Sequence, residues 1–110
     1  MKQGEIYLTR FDPASGSEQN GIRPALIISG NSMNSALDIC IVCPLSLKIK
    51  PYPGTMILKK NRSNGLTKDS QLMTFQVRVV SRTRLIRKIG EVTIEEMQQA
   101  KLLLLDVLTY

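Results

Sequence analysis

Apolar residues recur at every second position, or in short unbroken runs, over most of this chain. Only near its end do they fall at helical spacing, so the pattern predicts strands first and a helix last. "EIYLTRF" (5–11) alternates and predicts a first strand, while "PALIIS" (24–29) and "DICIVCPL" (38–45) read as buried strands. "TMILK" (55–59) adds another, and "SQLMTFQVRVV" (70–80) is one long strand or two joined by a bend. "SRTRLIRKIG" (81–90) predicts one helical turn followed by a short strand. Between these runs lie a long polar loop, "DPASGSEQNG", a connection, "GNSMNSA", a loop with two prolines, "SLKIKPYPG", and a turn, "NRSNG". Gly, Pro, Asn and Ser mark each break.

The end of the chain differs. In "TIEEMQQAKLLLLDVL" Thr93 stands three residues before Glu96, the spacing of a capping box, and Ile94, Met97, Ala100 and Leu104 follow at helical intervals. Leu102, Leu103 and Leu105 widen the apolar surface beyond one stripe, which predicts burial on two sides, against the sheet and against a second chain. Many short strands with one appended helix imply an α+β domain, mainly β, built on a small curved or barrel-like sheet. At 110 residues with 43% apolar content the chain encloses one core, a single domain over 1–110.

Charge narrows the function. The chain carries a formal +6, and eleven Lys and Arg between Lys48 and Lys88 face one acid, Asp69, while the rest of the sequence is net acidic. A basic band across the middle of a small domain suits a phosphate backbone; a merely solvated surface is the plainer alternative. "MKQGEIYL" lacks the apolar stretch of a signal peptide, and the longest apolar runs are too short to span a bilayer, so the expectation is a cytoplasmic protein with no membrane partner.

Cys40 and Cys43 spell C-x-x-C but sit in an apolar strand, where positions three apart face opposite sides. With no histidine and no further cysteine, one chain cannot complete a zinc set, and the expectation is two buried thiols with no metal and no cofactor.

The stretch "GSEQNGIRPALIISGN" sets Arg23 where a polar loop meets a buried run. Its planar guanidinium matches phosphate oxygens, although an arginine there could equally pair with a carboxylate or lie beside the core. Ser46 could cap the strand end, Glu18, Gln19 and Asn20 could be solvated loop, and Gln76 and Arg78 could be plain strand surface. Of five aromatics, Phe75 and Tyr52 are the candidates for stacking unpaired bases, with core packing the alternative; Lys48 and Lys50 flank Ser46 and could hold neighbouring phosphates.

"GEIYLTRFDPASGSEQNGIRPALIIS", "NSMN", "CPLS" and "GLTKDSQLMTFQVRVVSRTRLIRKIGEVT" together resemble the MazF/PemK family of toxin endoribonucleases, in order over nearly the whole chain. The pairing of G-S-E-Q-x-G-x-R-P-x-L-x-I with a later K-D-S and Q-x-R carries the resemblance. It implies an SH3-like barrel with a C-terminal helix, a homodimer, metal-independent cleavage of single-stranded RNA, and neutralisation by a cognate antitoxin, expected to be acidic. It also implies that Arg23 is the main catalytic residue and that Ser46, where the family usually has threonine, bonds the scissile phosphate. Ser17, Gln19 and Asn20, with Lys48, Lys50, Phe75, Gln76 and Arg78, are then expected to contact RNA.

Two departures stand out. Serine for threonine keeps the hydroxyl but loses the methyl that restricts it. Phe75 occupies a position where some members place a proton-transferring carboxylate, which leaves Glu18 or water as the base. Two rivals remain: a barrel whose catalysis has lapsed and which only binds, and a CcdB-like gyrase poison, disfavoured because the chain has no Trp and ends "DVLTY".

Overall fold

The computed structural model describes residues 1–11 and 21–109. Its elements are β1 (Glu5–Phe11), β2 (Gly21–Ile27), a short helix α1 (Asn31–Ala36), β3 (Ile39–Ser46), β4 (Met56–Leu58), β5 (Ser70–Leu72), β6 (Arg78–Ser81), β7 (Leu85–Glu91) and α2 (Ile94–Thr109). Single 3₁₀ turns at Thr74–Gln76 and Arg82–Arg84 precede β6 and β7. The 70–80 run is thus two strands joined by a bend, and the 81–90 run a helical turn followed by a strand.

The strands pair antiparallel in the order β4-β5-β3-β2-β1-β7, and β6 joins at β3. β3 is the hub, because Ile39–Val42 pair with β6, Val42–Pro44 with β2, and Leu45 and Ser46 with β5. The result is a half-barrel of antiparallel strands with a C-terminal helix. Its two end strands meet through a turn rather than a ladder. The Glu91 N–H donates to the Ser63 carbonyl at 3.0 Å, and the "NRSNG" turn lies so close to β7 that a Cβ on Gly65 would collide with the Ile89 backbone. Gly65 also has φ +67°, which favours glycine. Asn64, buried beneath the turn, donates to the Lys59 carbonyl at 2.8 Å and accepts from the Leu66 N–H at 3.0 Å.

Alternation splits the core in two. Ile6, Leu26, Cys43 and Leu45 face Met97 and Ala100 of α2, whereas Phe11, Ala25, Ile27, Cys40, Val42 and Val80 pack on the opposite face. Cys40 and Cys43 therefore lie in different clusters, both as buried free thiols.

The capping box forms as its spacing predicts: the Thr93 Oγ1 accepts from the Glu96 N–H at 3.0 Å and the Glu96 Oε1 accepts from the Thr93 N–H at 2.9 Å. Within the single chain α2 buries Met97 and Ala100 and packs Leu103 on the core, and it leaves Leu102, Leu105 and Leu108 exposed. α1 replaces what the sequence presents as a connection. It is too short to show a helical period, and tertiary bonds hold it: Asn34 Nδ2 donates to the Ser29 carbonyl at 2.9 Å, and the Arg82 guanidinium donates to the Asn34 carbonyl. Among the described residues no helix is long and apolar enough to cross a membrane.

Candidate nucleic-acid interface

Arg23 is the third residue of β2, paired with Thr9 of β1. The β2–β3 ladder ends with Ala25 opposite Pro44, so by strand alternation Arg23 and Ser46, each two residues beyond that pair, lie on its face, and Ser46 itself pairs with Gln71 of β5. Cross-strand partners share a face. The guanidinium and the hydroxyl thus project from one face of the sheet, at the end of the strands where the ladder opens.

They line a cleft of about 570 Å³ with Leu47, Lys48, Lys50, Tyr52, Met73, Phe75 and Gln76. The fold therefore gathers Arg23, Ser46, Lys48, Lys50, Phe75 and Gln76 in one concavity. Tyr52 and Phe75 meet edge to face at 5.2 Å between centroids, and at 41% and 45% exposure neither ring is core. Both keep area available for a base. Arg78 is not a lining residue of this cleft; its guanidinium lies 5.1 Å from the centroid of the Phe11 ring, in a separate pocket. Glu18, Ser17, Gln19 and Asn20 lie outside the described residues.

Ser46 is 7% exposed, and its hydroxyl closes a small turn, donating to the Lys48 carbonyl and accepting from the Lys48 N–H, each at 3.2 Å. It is a strand-end cap and a cleft-lining hydroxyl at once. To donate to a phosphate oxygen the proton must swing away from the Lys48 carbonyl, while the bond from the Lys48 N–H can stay.

Two residues that sequence reasoning passes over stand behind the cleft without lining it. Gln71, 1% exposed, donates through Nε2 to the Lys50 carbonyl at 2.8 Å and to Thr55 Oγ1 at 2.7 Å, and accepts from the Lys50 N–H at 2.9 Å. Thr74, fully buried, donates to the Gly54 carbonyl at 2.6 Å. Together they fasten the proline loop that carries Lys48, Lys50 and Tyr52. The available signal is a polar amide inside the apolar strand "SQLM", where burial demands partners.

The basic band is less uniform than its sequence. Lys88 bonds Glu5 at 2.9 Å, with Glu91 at 3.8 Å, and Arg82 is engaged with α1, so these charges serve the fold. Among the described residues no three His, Cys, Asp or Glu side chains gather as metal ligands would.

Comparison with known proteins agrees with this architecture. The family described as PemK-like, MazF-like toxin of type II toxin-antitoxin system matches residues 2–108. Endoribonuclease MazF9 of Mycobacterium tuberculosis is 34% identical over 90% of this chain and 88% of its own length, and the endoribonuclease toxin MazF of Escherichia coli K12 is 33% identical over 89% and 85%. Among solved structures, MazF from Deinococcus radiodurans superposes with a TM-score of 0.86 at 22% identity, covering 100% of this chain and 97% of that one. A mycobacterial endoribonuclease in complex with its cognate antitoxin superposes at 0.79, with 19% identity and coverage of 98% and 94%.

Proposed function

The chain belongs to the PemK-like, MazF-like toxin family of type II toxin-antitoxin systems and is an endoribonuclease toxin, and from that premise we propose that it cuts single-stranded RNA, without metal, through the RNA's own 2'-hydroxyl. The 2'-oxygen attacks the adjacent phosphorus and its proton passes to Glu18 or to water. The bond to the 5'-oxygen breaks, and that oxygen takes up a proton as it leaves. The products are a 2',3'-cyclic phosphate and a 5'-hydroxyl end.

The observation that carries this reading is the shared cleft of Arg23 and Ser46. A five-coordinate phosphorus carries more charge on its equatorial oxygens than the ground state, and a rigid strand-held guanidinium aimed there lowers the barrier. The Ser46 hydroxyl donates to a second oxygen, Lys48 and Lys50 hold neighbouring phosphates, and Tyr52 and Phe75 stack bases whose edges Gln76 reads.

Antitoxin complexes are found among the solved relatives, and here the partner is an acidic segment that competes with RNA for the basic cleft. A homodimer is supported by Leu102, Leu105 and Leu108 standing exposed beside an apolar groove between α2 and β6. The site of action is the cytoplasm, where messenger RNA is translated.

The test is incubation of the purified protein with single-stranded RNA in EDTA, beside an oligonucleotide with 2'-deoxyribose at the cleaved position and beside the Arg23→Ala variant. Cyclic-phosphate products from wild type alone, lost in both controls, are expected. Cleavage that persists without the 2'-hydroxyl would overturn the chemistry, and binding without cleavage would leave only a binding module.

A further inference from the structure

The proline loop and the 3₁₀ turn after β5 each carry one of the cleft's two exposed rings, and hydroxyl groups tie the two segments together. Tyr52 leads into the turn made by Pro53 and Gly54, the latter at φ +75°. Its N–H donates to the Lys50 carbonyl at 2.8 Å, and its carbonyl accepts from Thr55 Oγ1 at 2.8 Å. Thr55 Oγ1 in turn accepts from Gln71 Nε2 at 2.7 Å, so a short chain of hydrogen bonds runs from β5 through Thr55 to the Tyr52 peptide. Thr74 reaches the same turn from the other side, donating to the Gly54 carbonyl, and its neighbour in the chain is Phe75. The backbone around Phe75 is bonded as well: the Met73 N–H donates to the Pro44 carbonyl and the Gln76 N–H to the Met73 carbonyl, each at 2.9 Å. The rings so held meet with their planes at 76°.

Two rings at that angle make a corner rather than a platform. A base stacked on one ring meets the other along its edge, so the corner offers a π-face and also measures the width of the base. From this arrangement we infer that Thr55 and Thr74 are positioning residues for specificity: by fixing the angle between Tyr52 and Phe75 they make the corner select one RNA base near the cut by size, purine against pyrimidine. Neither threonine lines the cleft, so each acts through the ring it holds rather than by contact with RNA. The inference rests on the RNA-cleaving reading, and it adds the place where one base is chosen and the bonds that set the choice.

Sequencing the ends left by cleavage of a random-sequence RNA pool reads the base preference at each position around the cut. Thr55→Val and Thr74→Val keep the side chain's shape and remove its hydroxyl. In both, the purine-to-pyrimidine bias at one position is expected to fall by about fivefold or more, the lower end of what a base–aromatic stack is worth, while preferences at other positions persist. Thr55→Ser and Thr74→Ser keep the hydroxyl and should restore the bias. A second readout needs no cleavage. The chain has three tyrosines and no tryptophan, so tyrosine emission can be followed during titration with a random-sequence RNA carrying 2'-O-methyl groups throughout, with Tyr52→Phe as the blank. The quenching that belongs to Tyr52 should shrink in both valine variants. Circular dichroism confirms that each variant is folded, and the half-buried Thr55 carries the test should the fully buried Thr74 not tolerate valine.

Slower cleavage in the valine variants with every base preference intact would overturn the inference and reduce the two threonines to supports of the fold. So would a loss of preference spread evenly over all positions, or undiminished quenching of Tyr52. A wild-type protein that leaves the pool uncut, yet shows Tyr52 quenching that depends on the threonines, would remove the cleavage reading and leave the corner standing.

Discussion

Gln71 grips Lys50 by both ends of its peptide: one side-chain amide accepts from the Lys50 N–H and donates to the Lys50 carbonyl. This is the hydrogen bonding of a strand partner, supplied by a side chain to a loop that has no strand beside it. Replacing Gln71 with Val removes the clasp and leaves polar backbone with poor access to water. A loss of about 1–3 kcal/mol is expected in urea denaturation. In the same variant KM for RNA should rise more than kcat falls, since Lys48, Lys50 and Tyr52 lose their common support. An unchanged KM would mean that the loop holds its shape unaided.

Arg23→Lys keeps the charge and discards the fork. If planar, multi-donor contact to phosphate is what Arg23 provides, kcat should fall by about 10²-fold or more, as for loss of one preorganised oxyanion donor. Near-normal turnover in the lysine variant would show that a point charge suffices.

Ser46 separates two roles in one side chain. Ser46→Ala loses both bonds to Lys48, about 1 kcal/mol of stability, together with the phosphate-facing donor. Ser46→Thr restores the hydroxyl and narrows its rotamers. Cleavage rates are expected in the order Thr at or above Ser, and Ser above Ala. Threonine slower than alanine would show that the pocket has no room for the added methyl.

Acid should loosen the β1–β7 pairing. Burial pushes the Glu5 carboxyl up, but the Lys88 side chain and the Lys2 N–H outweigh it and hold the group below its ordinary 4.5. A lowered folded value means that the stabilisation is present above about pH 4.5 and disappears as pH falls through the lower folded value. Lys88 is shifted the other way, chiefly by its hydrogen bond to Glu5, so its contribution is present at neutrality and fades only as pH climbs above 10.5. Glu5→Gln should flatten the acid limb of a plot of melting temperature against pH. An unaltered limb would assign the acid sensitivity elsewhere.

Burial pushes the Cys43 thiol up to about 12, and it raises Cys40 as well, against the opposing charges of Arg82 and the N-terminus. Neither forms much thiolate near neutrality, so native protein at pH 8 should resist iodoacetamide and take up two equivalents only in urea, as read by mass spectrometry. Rapid native labelling would contradict the burial of β3.

Strand periodicity and the capping box are legible because each depends on residues close in sequence: the alternation of "EIYLTRF" and the Thr93–Glu96 spacing need no tertiary knowledge. α1 is not, since six residues held by Asn34, Ser29 and Arg82 obey distant partners rather than a period of their own. β2 begins earlier than its apolar pattern suggests. Pro24 reads as a strand's first residue, yet Gly21–Arg23 already pair with β1. At the site, the chemistry-bearing types Arg23, Ser46, Lys48 and Lys50 can be named, but Gln71 and Thr74 act through burial, which sequence shows only indirectly. Arg78 illustrates the reverse: Q-x-R ties it to Gln76, and the 3₁₀ turn between β5 and β6 sends the two to different pockets.

The place of β3 among three neighbours governs when the molecule becomes dangerous. Arg23, Ser46 and Gln71 come together only across that strand, whose other half pairs with β6. On the proposed reading of the cleft, a nascent polypeptide still on the ribosome therefore has no assembled cutting centre until β5 has emerged and folded back onto β3, and a product truncated ahead of Ser70 is expected to leave RNA uncut.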